Sequence, residues 1–397
     1  MLLTMTLVAR EQAAWSVEVQ PVPAPTGAAS AQPQLSVSDR GVLLSWIERS
    51  GNTATLKFAE RTATGWSAAR TVGSGTDWFV NWADVPSVLR LSNGTIVAHW
   101  LQKSGPDTYA YDVRLSYSKD DGKNWSSSFT PHHDGTKTEH GFASLFEMPG
   151  SGLGLVWLDG RAMAGGHDAH GEMSVRFAAF DTTWKQTAET GVDTRVCECC
   201  PTAAVMTADG PIAAFRDRSG EEIRDIAIAR LENGTWTQSK AAHADNWKIA
   251  ACPVNGPMLA ARGRDVALAW FTAKGDEGRT FVAFSSDAGR TFSTPVRLDD
   301  AGALGRVDLV MLPDGSAVAT WIEFADQRAQ FRMRRIERSG AKSAPITVAG
   351  IDGSRASGYP RVALHGDELI FAWTASTPEG LQVRTAVAKL HTRTSSK

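Results

Sequence analysis

The chain has 397 residues, 42% of them hydrophobic, with 14 Trp, 4 Tyr and 4 Cys and a formal net charge of −2. So small a charge gives no basis for gripping nucleic acid or an anionic membrane surface, since both require a concentrated excess of Lys and Arg. No apolar run approaches the ~20 residues a helix needs to cross a bilayer, so no transmembrane segment is expected.

The chain opens with Met1-Leu2-Leu3-Thr4-Met5-Thr6-Leu7-Val8-Ala9. This resembles the short hydrophobic core of a secretion signal, although no basic segment precedes it. Residues 1–14 read either as the remnant of such a signal or as a frayed tail, and the cysteines favour export to a periplasm or the medium. From Trp46 onward one signature recurs seven times, an apolar strand ending in an aromatic residue and a polar turn. It reads LLSWIER around Trp46, IVAHWLQ around Trp100, LGLVWLD around Trp157, PIAAFRD around Phe215, VALAWFT around Trp270, AVATWIE around Trp321 and LIFAWTA around Trp373. The spacings of 54, 57, 58, 55, 51 and 52 residues give a period near fifty. With four short strands per unit, that is the pattern of a β-propeller, one blade per repeat.

A second aromatic residue follows the first by roughly twenty positions in five repeats: Trp66, Trp125, Trp184, Trp236 and Phe292. The sixth copy, near SAPITV, lacks it, and the seventh stops at Leu390 without an outer strand. Trp15-Ser16-Val17-Glu18-Val19 matches Trp66-Ser67-Ala68, so the N-terminal strand is expected to complete the last blade and close the ring. The low-complexity stretch PVPAPTGAASAQPQ at 21–34 would carry the chain from that strand into the first blade. The expectation is one all-β domain over 15–390, a propeller of seven four-stranded blades with six as the alternative, and a disordered tail at 391–397.

Two turns match S-x-D-x-G-x-x-[WF]: Ser118-Lys119-Asp120-Asp121-Gly122-Lys123-Asn124-Trp125 and Ser285-Ser286-Asp287-Ala288-Gly289-Arg290-Thr291-Phe292. The Asp carboxylate can accept backbone N–H bonds within the turn, the Gly takes a positive φ, and the aromatic residue packs between blades. Here the chain resembles the sialidase-like, or bacterial neuraminidase repeat, propellers. Such Asp boxes also occur in xyloglucan-degrading propellers, photosystem assembly factors and sorting receptors, so the motif speaks for the fold more than the activity. In that family the ligand-binding face carries the blade-to-blade loops and the second-to-third strand loops, opposite the Asp boxes. Sialidases further resemble one another in six blades, an early Arg-Ile-Pro motif, three arginines for a carboxylate, and a Tyr–Glu nucleophilic pair with an acidic Asp. This chain has no Arg-Ile-Pro. A sialidase-like site would be assembled from Tyr359, where GYPRVAL begins an inner strand, Asp84 or Glu139 as acid–base group, and Arg306 with Arg361 for an anionic substrate.

All four cysteines fall in Cys197-Glu198-Cys199-Cys200-Pro201 and Cys252-Pro253. Cys200 and Cys252 lie one blade period apart, each followed by Pro at the start of an inner strand, which places them on adjacent blades beside the central channel. Three readings stay open. Disulfides suit an exported protein, including a strained vicinal Cys199–Cys200 bridge. A soft-metal site would use the thiolates for copper or zinc, with His167, His170, Met163 and Met173 from RAMAGGHDAHGEM reaching over the same face. Thiol redox chemistry is the third.

The same face should carry Asp159, Arg161, Arg216 and Asp217, whose Arg–Asp pairs could hold a carboxylate or sugar hydroxyls bidentately. DNWKIAACPVNGP reads as a shaped pocket wall containing Trp247 and Asn255. His140 aligns with the cysteine positions as a ligand or acid–base group. Together these features point to an exported propeller with a ligand site on its loop-rich face, carbohydrate-active or carbohydrate-binding, with a glycan or other small molecule as partner and a monomeric chain. A metal or thiol-redox protein and a non-catalytic scaffold are the alternatives.

Overall fold

Each copy of the aromatic signature folds as the second strand of a blade: Gly41–Ser50, Ile96–Lys103, Gly152–Asp159, Gly210–Arg216, Asp265–Thr272, Ala317–Ala325 and Glu368–Thr377. The computed structural model describes residues 15–164 and 171–390. Its seven antiparallel sheets, one per repeat, form a seven-bladed all-β propeller. The signature strands are apolar at successive positions because blades cover both of their faces; Gly152–Asp159 is buried at every position. Trp46, Trp157, Trp270 and Trp321 are among the largest fully buried side chains. Each seam between blades has its own apolar cluster, such as Leu101 and Val113 against Leu155 and Trp157 between blades two and three.

A buried indole N–H needs an acceptor, and a strand sets residues i and i+2 on the same side. The repeat uses this. Trp46 donates to Glu48 at 2.9 Å, Trp157 to Asp159 at 2.9 Å, Trp321 to Glu323 at 2.7 Å and Trp100 to Gln102 at 3.4 Å. Trp270 has Thr272 at that place and instead donates to Asp245 at 2.8 Å.

The ring closes as expected. Val19–Val22 pairs with the strand Gly380–Lys389, Val19 opposite Ala388 and Val22 opposite Thr385, while Trp15 and Val17 pack against the cluster around Phe371. The stretch at 21–34 is less of a linker than its composition suggests. Pro21 belongs to the closing strand, and Ser30–Ser38 is already the innermost strand of blade one. Both prolines are tolerated for local reasons: the closing strand is an outer edge, and Pro33 lies where the pairing register shifts between Ala31 and Gln34. Blade two departs from the four-stranded plan. Beyond Ser87–Arg90, Ile96–Lys103 and Tyr111–Ser118 its fourth strand is reduced to a bridge between Leu115 and Phe129. The intervening NWSSSFTP is poor in β-branched residues and ends in proline.

The two S-x-D-x-G turns share one hydrogen-bond pattern. Ser118 Oγ accepts from the Gly122 N–H at 2.8 Å and Asp120 from the Asn124 N–H at 2.9 Å; Ser285 accepts from Gly289 and Asp287 from Thr291, each at 2.9 Å. Gly122 and Gly289 have φ of 81° and 78°. Trp125 meets Phe58 of blade one edge-on at 6.1 Å, and Phe292 joins the cluster shared by blades four and five.

At the opposite ends of the blades the innermost strands start with irregular backbone. Gln32, Phe142 and Arg306 have φ of 59°, 51° and 54° and sit at register shifts in blades one, three and six. Val254, a β-branched residue at φ 48°, precedes the innermost strand Met258–Arg262. Such bulges and strained residues re-aim side chains, and they gather at one mouth of the ring.

Candidate functional site

Where the innermost strands start, they enclose a cavity of about 250 Å³ lined by Gln34, Asp84, Phe142, Pro201, Pro257, Tyr359 and Arg361 among others. Three of its lining residues carry buried polar atoms with no partner in the protein: Gln34 Oε1, Asp84 Oδ1 and Arg361 Nε. Buried polar atoms are nearly always satisfied, so an acceptor, a carboxyl and a guanidinium left open around one cavity describe a place for a polar ligand.

Asp84 comes from the loop that leads into blade two and is only 1% exposed. Tyr111, the first residue of that blade's third strand, is 2.6 Å from Glu139 Oε1 and 3.5 Å from Asp84 Oδ2, so its hydroxyl stands between two carboxyls. Burial, aided by repulsion from Glu139, pushes Asp84 up to about 8 against the hydrogen bonds from the Phe142 N–H and Tyr111. Burial also pushes Glu139 up to about 7, with the charge of Glu198 adding to it and the Tyr111 bond opposing. The same environment lifts the Tyr111 phenol well above its ordinary range. Backbone makes this cluster fit. A Cβ on Gly141 would lie 2.2 Å from Asp84 Oδ2 and 2.8 Å from the Tyr111 ring. Sequence reasoning brought forward Asp84 and Glu139 but not Tyr111, whose segment AYDVRLSYS reads as an ordinary third strand.

Across the cavity, Arg361 is buried with Asp308 as its nearby carboxylate, and burial lowers its pKa. Asp308 accepts from the Leu309 and Val362 N–H groups, and burial raises it to about 6. Tyr359 lines the cavity too, but its hydroxyl donates to the Val254 carbonyl at 2.6 Å and burial raises its pKa. It has no carboxylate at its oxygen of the kind that Tyr111 has twice. Arg306 stands at the mouth, 4.9 Å over the Trp82 ring, with Nη1 donating to the Ser354 carbonyl at 2.8 Å and to Ser357 Oγ at 2.5 Å. Tyr359 stacks on the same Trp82 at 6.0 Å.

The remaining expected ligand-binding residues form two internal braces. Arg216 directs Nε, Nη1 and Nη2 to the carbonyls of Asn255, Arg224 and Phe271 and lies 5.0 Å over Trp247. Asn255 Oδ1 accepts from the Arg306 N–H at 2.7 Å. Arg216, Trp247 and Asn255 thus tie blades four, five and six together. Asp217 accepts from the Arg218 N–H at 2.8 Å. In blade three, Arg161 pairs with Asp159 at 2.7 Å, and His140, stacked on His132 at 3.8 Å, lies 3.3 Å from Asp134. Burial pushes His132 down to about 4.

All four cysteines are free. Neither the vicinal Cys199–Cys200 bridge nor one between blades four and five is therefore formed, and Cys197 Sγ lies 3.5 Å from Cys200 Sγ and 3.7 Å from Cys199 Sγ. His167 and His170 fall outside the described residues, while Met173 is buried in the core between blades three and four rather than over the face.

No family model matches the sequence, and no curated protein matches it. Solved structures do match. A protein of unknown function from Dyadobacter fermentans is 14% identical with a TM-score of 0.57, over 94% of this chain and 99% of that one. The polysaccharide lyase Uly1 is 11% identical with a TM-score of 0.53, over 98% of this chain and 95% of that one. NanB sialidase of Streptococcus pneumoniae is 9% identical with a TM-score of 0.47, over 94% of each chain. At these identities the likeness speaks for the propeller fold alone.

Proposed function

We propose that the cavity at the mouth of the ring processes an anionic sugar by acid–base chemistry. The observation that carries this is the convergence on one cavity of a carboxyl protonated near neutrality, Asp84, and a buried guanidinium with an open N–H, Arg361. At about 250 Å³ the cavity is below the usual ~300–1,000 Å³ of drug-sized sites, which suits a single sugar unit at a chain end.

Asp84 is the proton donor to a departing glycosidic oxygen. Glu139, joined to Asp84 through the Tyr111 hydroxyl, stands outside the cavity lining and helps keep Asp84 protonated through its charge. A hydrogen-bonded Tyr–Glu pair beside an acidic Asp, as the sialidase resemblance implies, exists in Tyr111, Glu139 and Asp84, but of these three only Asp84 lines the cavity. Arg361 faces the carboxylate of the sugar, with Arg306 at the rim. Activity should fall as Asp84 loses its proton near 8, on a limb that belongs to the coupled Asp84–Glu139 pair. Fluorogenic sialosides and uronides screened against the wild type, Asp84→Asn, Tyr111→Phe and Tyr359→Phe test the assignment. Asp84→Asn should lose roughly 10²–10⁴-fold in kcat/KM, Tyr111→Phe should lose less, and Tyr359→Phe should stay near wild type. Turnover undiminished in Asp84→Asn, or no turnover by the wild type, removes the reading.

A further inference from the structure

The cysteine cluster has a geometry that neither the fold nor the acid–base site explains. Cys197 and Cys200 are each 1% exposed, and Cys199 is half-buried beside them. One ligand atom from each of the three lies within 4.8 Å of the others, and the two measured separations are 3.5 and 3.7 Å. A disulfide would require about 2.05 Å. Thiolates around one ion at ~2.3 Å stand about 3.8 Å apart at the corners of a tetrahedron, so the observed spacing is close to that of a ligand set.

The surroundings favour negative sulfur. Arg224 Nη1 is 3.2 Å from Cys197 Sγ, and the Asn255 N–H points to Cys200 Sγ at 3.4 Å. Arg216 adds a second fixed positive charge near the cluster, since its guanidinium is bonded to the carbonyl of Asn255, the residue whose N–H points to Cys200 Sγ. Cys252, exposed on the loop leading into blade five, lies outside the three-sulfur group and is the one further thiol among the described residues that could supply a fourth sulfur. The two segments meet tightly: a Cβ on Gly256 would lie 2.1 Å from the Pro201 carbonyl oxygen.

We propose that Cys197, Cys199 and Cys200, with Cys252 closing the set, bind one soft d10 metal ion at the seam between blades four and five. Four thiolates suit zinc, and three suit cuprous copper. The ion would fix Pro201 and Pro257, which line the cavity, so it would shape the wall of the sugar site without touching the sugar. The proposal stands independently of the acid–base reading, because its readouts are metal and thiol content.

The test uses the full chain purified under reducing, chelator-free, oxygen-free conditions. Metal content is measured, followed by titration with Co(II) as a zinc probe and with Cu(I) against a chromogenic chelator. We expect one ion per chain, thiols that react with Ellman's reagent only after metal removal, and either the visible bands of tetrahedral thiolate-bound Co(II) or tight Cu(I) retention. Cys199→Ser, half-buried and so compatible with folding, should weaken binding by more than about 100-fold. Cys252→Ser separates the two ions: a matching loss means a four-sulfur zinc site, and retained Cu(I) binding a three-sulfur copper site. No saturable binding of either ion by the reduced protein, affinity unchanged in Cys199→Ser, or two disulfides in the native protein by mass spectrometry would overturn the proposal.

Discussion

An indole N–H buried between two blades has few acceptors within reach, and for Trp46, Trp100, Trp157 and Trp321 the acceptor lies two residues further along the same strand. Glu323 shows how much can rest on one such acceptor. It is 2% exposed, accepts from Trp321 at 2.7 Å and pairs with Arg332 at 2.9 Å. Glu323→Ala leaves a buried N–H and a guanidinium without their partner and should cost about 3 kcal/mol in urea unfolding with an unchanged m-value. Gln102→Ala, which removes only a 3.4 Å bond from Trp100, should cost less than about 1 kcal/mol. Asp84 runs the other way. Its folded pKa of about 8 lies above the ordinary 3.8, so the folded chain holds a proton that the unfolded chain releases in between. Stability from this group is therefore full below about 4 and is lost as pH rises through 8. Asp84→Asn should melt several degrees above wild type at pH 9 and converge with it near pH 4, while its activity is gone. A thermal-shift series across pH checks this, and equal melting at pH 9 would contradict it.

At the scale of strands and turns, the aromatic repeat and the S-x-D-x-G turns could be read from the sequence because each is encoded within a few residues. The expected equivalence of Cys200 and Cys252 fails by a few residues: Ala203 and Met258 hold the same place opposite Ala214 and Ala269, so Cys200 comes three residues before its innermost strand and Cys252 six. Tyr111 could not be read in this way. Its two carboxyl partners lie 27 and 28 residues away, and the register argument located only the starts of innermost strands, whereas Tyr111 starts a third strand. Arg216 misled for a related reason: the carbonyls that occupy its guanidinium belong largely to the next blade, 39 and 55 residues away. The irregular starts of the innermost strands were also invisible, because Gln32, Phe142, Val254 and Arg306 are not residues that advertise a positive φ. Gly141, between His140 and the strained Phe142, tests how closely that backbone is matched to the site. Gly141→Ala should abolish activity and lower stability by displacing Asp84. Gly65→Ala, with open space around it, should do neither. Kinetics and melting of both variants give the comparison.

For the whole molecule, seven blades account for residues that a six-bladed ring would have to leave out, and the seventh is completed only by the strand at the other end of the chain. Removing residues 1–24 strips that strand from Gly380–Lys389 and uncovers the apolar cluster that Trp15 and Val17 cover. The expected outcome is a lower melting temperature and concentration-dependent association by light scattering, since an unpaired edge strand templates pairing between molecules. A truncated protein that stays monomeric and melts with the full chain would show that the ring does not depend on this closure.

That closure also sets a timetable for synthesis. Val22 accepts a hydrogen bond from Thr385, 363 positions later in the chain. At ~5–20 residues per second a ribosome needs on the order of 20–70 s to bring the second partner out after the first. Throughout that interval the earliest strand has no mate, and the growing arc of finished blades carries one raw side at each end. The last event in closing this propeller is therefore the meeting of its first and last strands, and anything that shields the first strand while it waits raises the yield of closed rings over tangled ones.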